Sequence, residues 1–406
     1  MMRIDPRVAE PLSPARRPVQ RPADARLLAV DAEGRLTQLR RARWMDALQR
    51  GDLVVANDAA TLPASLPARH ARSRRTVELR LAGHLPRGMD GTPRFIAVVF
   101  GEGDWRTRTE DRPLPPALEP GDRLATGDAA VVVEALAEHP RLARVRFDMS
   151  DAALWSLLAR RGRPIQYAHL DVELAPWDVW TPIASVPLAF EAPSAGFAID
   201  WQGMQALRRR GIGFATLTHA AGISSTGDAE LDARLPLPEP YHIPVATARA
   251  IERTRTGGGR IVAIGTTVVR ALEHAAACDG IVSAGHGVAD QRIGASTRLR
   301  IVDMLLTGTH EPGSSHYDVL RAFTGDETLA RATLQLADSG YRTHEFGDSM
   351  LVERTPRASA GPTRARTPRE PGPWSTRNSS TTTRSTDPST HDASARAREP
   401  SVRSSC

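Results

Sequence analysis

The stretch TGGGRIVAIGTTVVRALE, Thr256 to Glu273, sets the architecture by its order of signals. A helix ends at Gly257, Gly258 and Gly259, an apolar strand runs to Ile264, and Gly265-Thr266-Thr267 opens the next helix. Glycine lets a backbone approach a ligand closely, threonine adds hydroxyls, and free N–H groups at a helix start attract a carboxylate or phosphate. The same letters also describe an ordinary strand-turn-helix with threonine as N-cap, and shape alone does not separate the two. A dinucleotide fingerprint is excluded, because its glycines follow the strand and these precede it. Upstream, WQGMQALRRRG and PVATARAIERTR carry helical patterns, with the strand FATLT between them. From Asp151 onward this alternation predicts an α/β body with a mostly parallel sheet or open barrel.

Between Thr61 and Asp148 the texture changes. VELRLAG, RFIAVVFG, DRLATG, AVVVEAL and ARVRF are short apolar runs divided by turn residues, without helical period. They predict a small barrel or meander inserted into the α/β body. RLLAVD (Arg26 to Asp31) and GDLVVAN (Gly51 to Asn57) read as strands before the insertion. The expected organisation is a Pro/Arg-rich arm over 1–25, an α/β domain over 26–60 and 151–355, a β-barrel over 61–150, and a tail over 356–406. That tail is Ser, Thr, Pro and Arg with almost no aliphatic residues, so it is expected to stay disordered.

Among 406 residues, 41% are hydrophobic and 25% charged, the composition of a globular protein. No run approaches the roughly 18 apolar residues a membrane crossing needs. The N-terminus lacks an apolar h-region, so no secretory signal is expected and the cytoplasm is the expected compartment. The sequence contains no lysine; the net charge is +6 with histidine neutral, and the tail holds nine Arg against four acids, so the body is nearly neutral. Arg40, Arg41 and Arg43, Arg72, Arg74 and Arg75, Arg160, Arg161 and Arg163, and Arg208 to Arg210 read better as solvated faces than as a phosphate track. Two cysteines, Cys278 and Cys406, are too few for a disulfide framework or a four-thiolate zinc site.

Two further segments carry candidate chemistry. EAPSAG (Glu191 to Gly196) is a polar turn able to present N–H groups and the Ser194 hydroxyl. In IVDMLLTGTHEP, Asp303 and His310 flank an apolar segment; an Asp inside a helix is unfavourable unless paired or functional. The plainer readings are a connection like many others, a solvated Asp and a surface His. Zincin, P-loop and paired C-x-x-C motifs are missing, and Gly222 to Gly227 departs from G-x-S-x-G by one residue.

Taken in order, these segments resemble the S-adenosylmethionine:tRNA ribosyltransferase-isomerases of queuosine biosynthesis, from about Arg26 to Glu353. GDLVVANDAATLPASL is similar to the family's G-D-L-x-V-x-N-D-T-R-V-x-P-A-R-L, EAPSAG to A-P-T-A-G, and VAIGTTVVRALE to V-G-T-T-x-x-R-x-L-E. IVDMLLT is similar to V-V-D-x-L-L-T, and FGDSMLV to Y-G-D-A-M-L-I. The resemblance implies a large mixed α/β domain with a small inserted β-barrel. It also implies transfer and isomerisation of the ribosyl group of S-adenosylmethionine onto a deazaguanine base in tRNA, giving epoxyqueuosine.

Such a reaction asks for a base to take a proton beside the sulfonium, an acid near adenine, and contacts for a cation and a carboxylate. By resemblance, Ser194, Gly196, Gly265, Thr266, Thr267 and Arg270 are expected to bind substrate, and Glu239, Asp303 and His310 to move protons or support the cation. S-adenosylmethionine is the co-substrate, with no cofactor and no metal expected; tRNA is the partner, no membrane is involved, and a monomer is favoured.

Three histidines of the family pattern are aliphatic here, at Ala198, Ala220 and Leu237. Such side chains neither donate nor accept a proton. A divergent paralogue that binds S-adenosylmethionine or a nucleoside without modifying tRNA is therefore the alternative, and a plain RNA-binding module is a weaker third reading.

Overall fold

The computed structural model describes residues 12–355; the expected tail and residues 1–11 of the expected arm lie outside them. LVVAN, IVAI and MLLTG are almost wholly buried along their length, the signature of strands covered on both faces. They form the middle of a nine-stranded sheet in the order Gly285–Ala289, Glu239–Ile243, Gly213–His219, Leu53–Asn57, Ile261–Ile264, Met304–Gly308, Ser349–Glu353, Arg26–Val30, Leu36–Arg40. The four strands from Gly213–His219 to Met304–Gly308 run parallel, while both outermost pairings and those flanking the four are antiparallel, except that Ser349–Glu353 runs parallel to Arg26–Val30. The sheet is thus mixed rather than mostly parallel.

One face of the sheet packs on the helices Val245–Thr256, Thr266–Ala275 and Asp326–Asp338 through Ile251, Val268, Leu272 and Leu329. The other face packs on Trp44 and on Leu207 of the helix Trp201–Arg209. The helix at Thr266 starts from Gly265, whose φ of 93° and ψ of 152° belong to a region essentially reserved for glycine.

Six antiparallel strands from Ser65–His70 to Leu142–Phe147 close into a barrel. LARVRF shows how: Ala143, Val145 and Phe147 turn inward while their neighbours keep solvent contact, the two-residue period of a strand with one dry face. Each of the five apolar runs read in this region supplies a barrel strand, and SLPARH supplies the sixth. The mixed α/β class with its small barrel is therefore the observed fold.

Residues 12–25 lie against the body: Ser13–Pro14 pairs in parallel with Arg342–Thr343, and Ala15 shares an apolar cluster with Leu170, Phe197 and Phe346. The segment around Asp303 is a strand, not a helix. An apolar run this short is compatible with either, and burial of Met304, Leu305 and Leu306 on both faces decides for the sheet.

Candidate active site

The carboxyl ends of parallel strands are where an open α/β sheet leaves a crevice for ligands. Here four such ends converge. Leu53–Asn57 delivers Asn57, Gly213–His219 delivers His219, Ile261–Ile264 leads into Gly265, Thr266 and Thr267, and Met304–Gly308 delivers Thr307. Glu239 joins them because its strand runs antiparallel and begins at this end.

The cleft above is lined by Ser194, Gly265, Thr266, Thr267, Glu239, Arg270 and His310, all expected from the sequence. Glu191, Ser224, Thr307 and His316 complete much of its polar wall.

Its floor is an ion pair. The Arg270 guanidinium donates to Glu239 Oε2, and its second arm donates to the Ala289 carbonyl at 2.8 Å. Glu239 Oε1 accepts from the Gly222 amide at 2.5 Å. Burial pulls Arg270 down to about 10, which leaves it charged at neutral pH. Its Nε is buried and makes no hydrogen bond among the described residues. His219 Nε2 lies 3.5 Å from Glu239 Oε2, and burial, helped by Arg270, pushes its imidazole down to about 3, so it stays neutral. Asn57 holds that strand end by accepting from the His219 amide and donating to its carbonyl, both at 2.9 Å.

The walls carry proton-active groups. His310 Nε2 shares a hydrogen bond with Thr307 Oγ1 at 2.8 Å, and its ring sits 4.9 Å from that of His316. Burial lowers both imidazoles below their ordinary value, with the neighbouring histidines adding to this for His310 and Arg270 for His316. Glu191 behaves oppositely. Burial raises its carboxyl to about 7, against the hydroxyl of Tyr167, which donates to it, and the Ser224 amide at 3.1 Å. Glu191 can therefore hold or release a proton near neutrality.

Two expected site residues are elsewhere. Asp303 sits at the opposite, amino-terminal end of its strand, where Oδ2 accepts from the Ile261 amide at 2.9 Å and Oδ1 from Arg354 at 2.6 Å. It ties the sheet together and does not meet the cleft. Gly196 is buried behind the wall, where an added Cβ would lie 2.9 Å from Thr181 Cγ2; it is a packing glycine. Similar structural duties fall to Glu273, which accepts from the amides of Arg300, Ile301 and Val302, and to Asp348, which accepts from those of Arg26 and Arg342.

Glu191 and His316 were not singled out in the sequence. A second imidazole six residues after His310, across a Gly-Ser turn and at the start of the helix Ser315–Leu320, is the signal that would have found His316. The three aliphatic replacements, Ala198, Ala220 and Leu237, are all absent from the cleft lining. Nor is the cleft filled by Phe197, which stacks on Phe346 at 5.5 Å.

A family model described as "Queuosine biosynthesis protein" matches residues 10–352. The chain belongs to this queuosine biosynthesis family. The motif blocks had pointed to the same family.

Among curated relatives, the S-adenosylmethionine:tRNA ribosyltransferase-isomerase of Sorangium cellulosum is 34% identical over 376 residues, covering 86% of this chain and 97% of that protein. The protein of the same name from an Azoarcus species is 33% identical, covering 85% and 95%. A crystal structure of an S-adenosylmethionine tRNA ribosyltransferase from Thermotoga maritima is similar with a TM-score of 0.45 and 23% identity, over 84% of this chain and 98% of that one. No helix among the described residues of this family member is long and apolar enough to cross a membrane.

Proposed function

We propose that this queuosine-family chain is an S-adenosylmethionine:tRNA ribosyltransferase-isomerase. It moves the ribosyl group of S-adenosylmethionine onto a deazaguanine base in tRNA and isomerises it, releasing adenine and methionine and leaving epoxyqueuosine. The observation that carries the reading is the convergence of Glu239, Arg270, Thr266, Thr267, His310 and Glu191 on one cleft at the ends of four parallel strands.

The division of labour follows from the groups' chemistry. Free amides at the start of the Thr266–Ala275 helix, with two threonine hydroxyls, suit the amino-acid carboxylate. Arg270, held by Glu239, adds a fixed positive charge for the same group or for a tRNA phosphate. Glu191, titrating near neutrality, and the neutral imidazoles of His310 and His316 are the proton carriers: one takes the proton beside the sulfonium and another serves the departing adenine. The reaction draws on S-adenosylmethionine as co-substrate and on no other cofactor, in a cytoplasmic monomer.

The test is incubation of the purified protein with S-adenosylmethionine and precursor-bearing tRNA, with adenine release and the epoxy-modified base as readouts. Turnover supports the reading. Its absence, under conditions where the Sorangium relative works, rejects it, and ligand binding without product would then favour the paralogue alternative.

A further inference from the structure

A second cluster lies outside the cleft. His169 comes from the loop after the helix Asp151–Arg161, and His344 and Glu345 come from the turn before the strand Ser349–Glu353. One donor atom from each can be chosen so that all lie within 4.8 Å of one another. His169 Nε2 is buried, lies 3.4 Å from Glu345 Oε2, and has no closer hydrogen-bond partner among the described residues.

That spacing is informative. Two ligands about 2.05 Å from a tetrahedral zinc ion are separated by about 3.3 Å. The His169 and His344 rings stack 4.2 Å apart and 15° from parallel, so a second imidazole is at hand, but the exposed His344 ring must turn before the in-plane lone pairs of both rings meet at one ion.

The scaffold around them is fixed. Leu170 and Phe346, each one residue from a ligand, pack in the same apolar cluster. His344 adopts a φ of 67°, a left-handed conformation uncommon for a residue with a side chain, and its carbonyl accepts from the Gly347 amide at 3.0 Å. Strain of this kind persists where surrounding structure or function demands it. His344 is also the exposed member, so it is the ligand free to close the remaining distance.

We propose that His169, His344 and Glu345 form a binding site for one divalent transition-metal ion of the zinc class. Two borderline imidazoles beside one carboxylate suit zinc over magnesium or calcium, and three protein ligands leave a position for water. The ion bridges two loops far apart in sequence, and its role is to clasp them beside the cleft, since Glu345 and Glu191 line one small cavity. The site escaped the sequence reading because no two of its ligands except His344 and Glu345 are close along the chain.

The experiment uses the full chain after dialysis against EDTA, titrated with Zn²⁺ in a calorimeter, alongside His344→Ala and Glu345→Gln. Thermal melting of each variant without metal checks that it is folded. Cobalt substitution then reads the ligand field by visible absorption. Expected are one equivalent of Zn²⁺, a fall in affinity of at least tenfold in each variant, a tetrahedral-type cobalt spectrum, and a zinc-dependent rise in melting temperature absent from His344→Ala. Absence of binding, or affinity retained by either folded variant, overturns the site; the latter assigns the zinc to other histidines. No readout depends on ribosyl transfer, so failure here is distinct from failure of the proposed function.

Discussion

Arg270 and Glu239 are both buried and bonded to each other at the floor of the cleft, the guanidinium from a helix and the carboxylate from the start of a strand. Neither charge has water to fall back on. Replacing Arg270 by Ala leaves Glu239 beside a buried neutral His219, and the expected loss of stability is about 3–5 kcal/mol, read by urea unfolding. Arg270→Lys is expected to retain more of the fold while losing the two-armed grip on Glu239 and the Ala289 carbonyl, so its kcat/KM falls far more than its stability.

Glu191 offers a pH signature. With its carboxyl at about 7, the kcat profile of the wild type should bend near that pH, and Glu191→Gln should remove the bend. In stability the sign is set by the folded pKa lying above the unfolded one. The folded state then holds the proton more tightly, and stability falls as pH rises between about 4.5 and 7, by about 3 kcal/mol in total. Relative to wild type, Glu191→Gln should lack that component, so its stability should climb more steeply with pH between about 4.5 and 7 in denaturant titrations.

Acid acts through the histidines in the opposite sense. Burial lowers His84, His219, His310 and His316 in the folded state, so the unfolded chain binds protons more readily. Their contribution is complete above the ordinary histidine value of about 6.5 and is lost as pH drops below it. Four such groups outweigh one glutamate, so the midpoint of urea unfolding should decline steadily from pH 6.5 to 4. A constant midpoint over that range would contradict the buried neutral state of these rings.

Asp303 separates stability from chemistry. Asp303→Asn should cost about 1.5–3 kcal/mol, because it weakens the charged bond to Arg354 and the bond from the Ile261 amide. Per folded molecule, kcat and KM should be unchanged. A large fall in kcat without loss of stability would return Asp303 to the catalytic set.

Gly265→Ala places a Cβ on a backbone at φ 93°, at a strain of about 1–3 kcal/mol. The space itself admits a methyl at ordinary contact distance, the nearest atom being Ala195 Cβ at 3.5 Å. The expected consequence is a rotated helix start, seen as a raised KM for S-adenosylmethionine at nearly constant kcat.

Continuous apolar runs made the central strands and the helices after them legible. The edge strand Leu36–Arg40 was not, because its exposed Thr37, Gln38 and Arg40 give it no clean pattern. Asp303 misled for a physical reason. An acid beside an apolar run has the same letters whether it faces a substrate or clamps a backbone amide, and only the strand's direction tells which end it occupies. Thr266, Thr267, Arg270 and Glu239 were readable because their motif blocks are local. Glu191 was not, since its raised carboxyl comes from burial that only folding creates, and its partners Tyr167 and Ser224 lie 24 and 33 residues away along the chain.

The six-stranded inserted domain has a ring topology, so every strand in it has a neighbour on each side. A ring cannot gain a member at its margin; it can be enlarged only where hairpins turn. The turn near Met89, fully open to solvent, is such a place, and a fluorophore or peptide tag grafted there would report on the domain without prising its hydrogen-bond ladder apart.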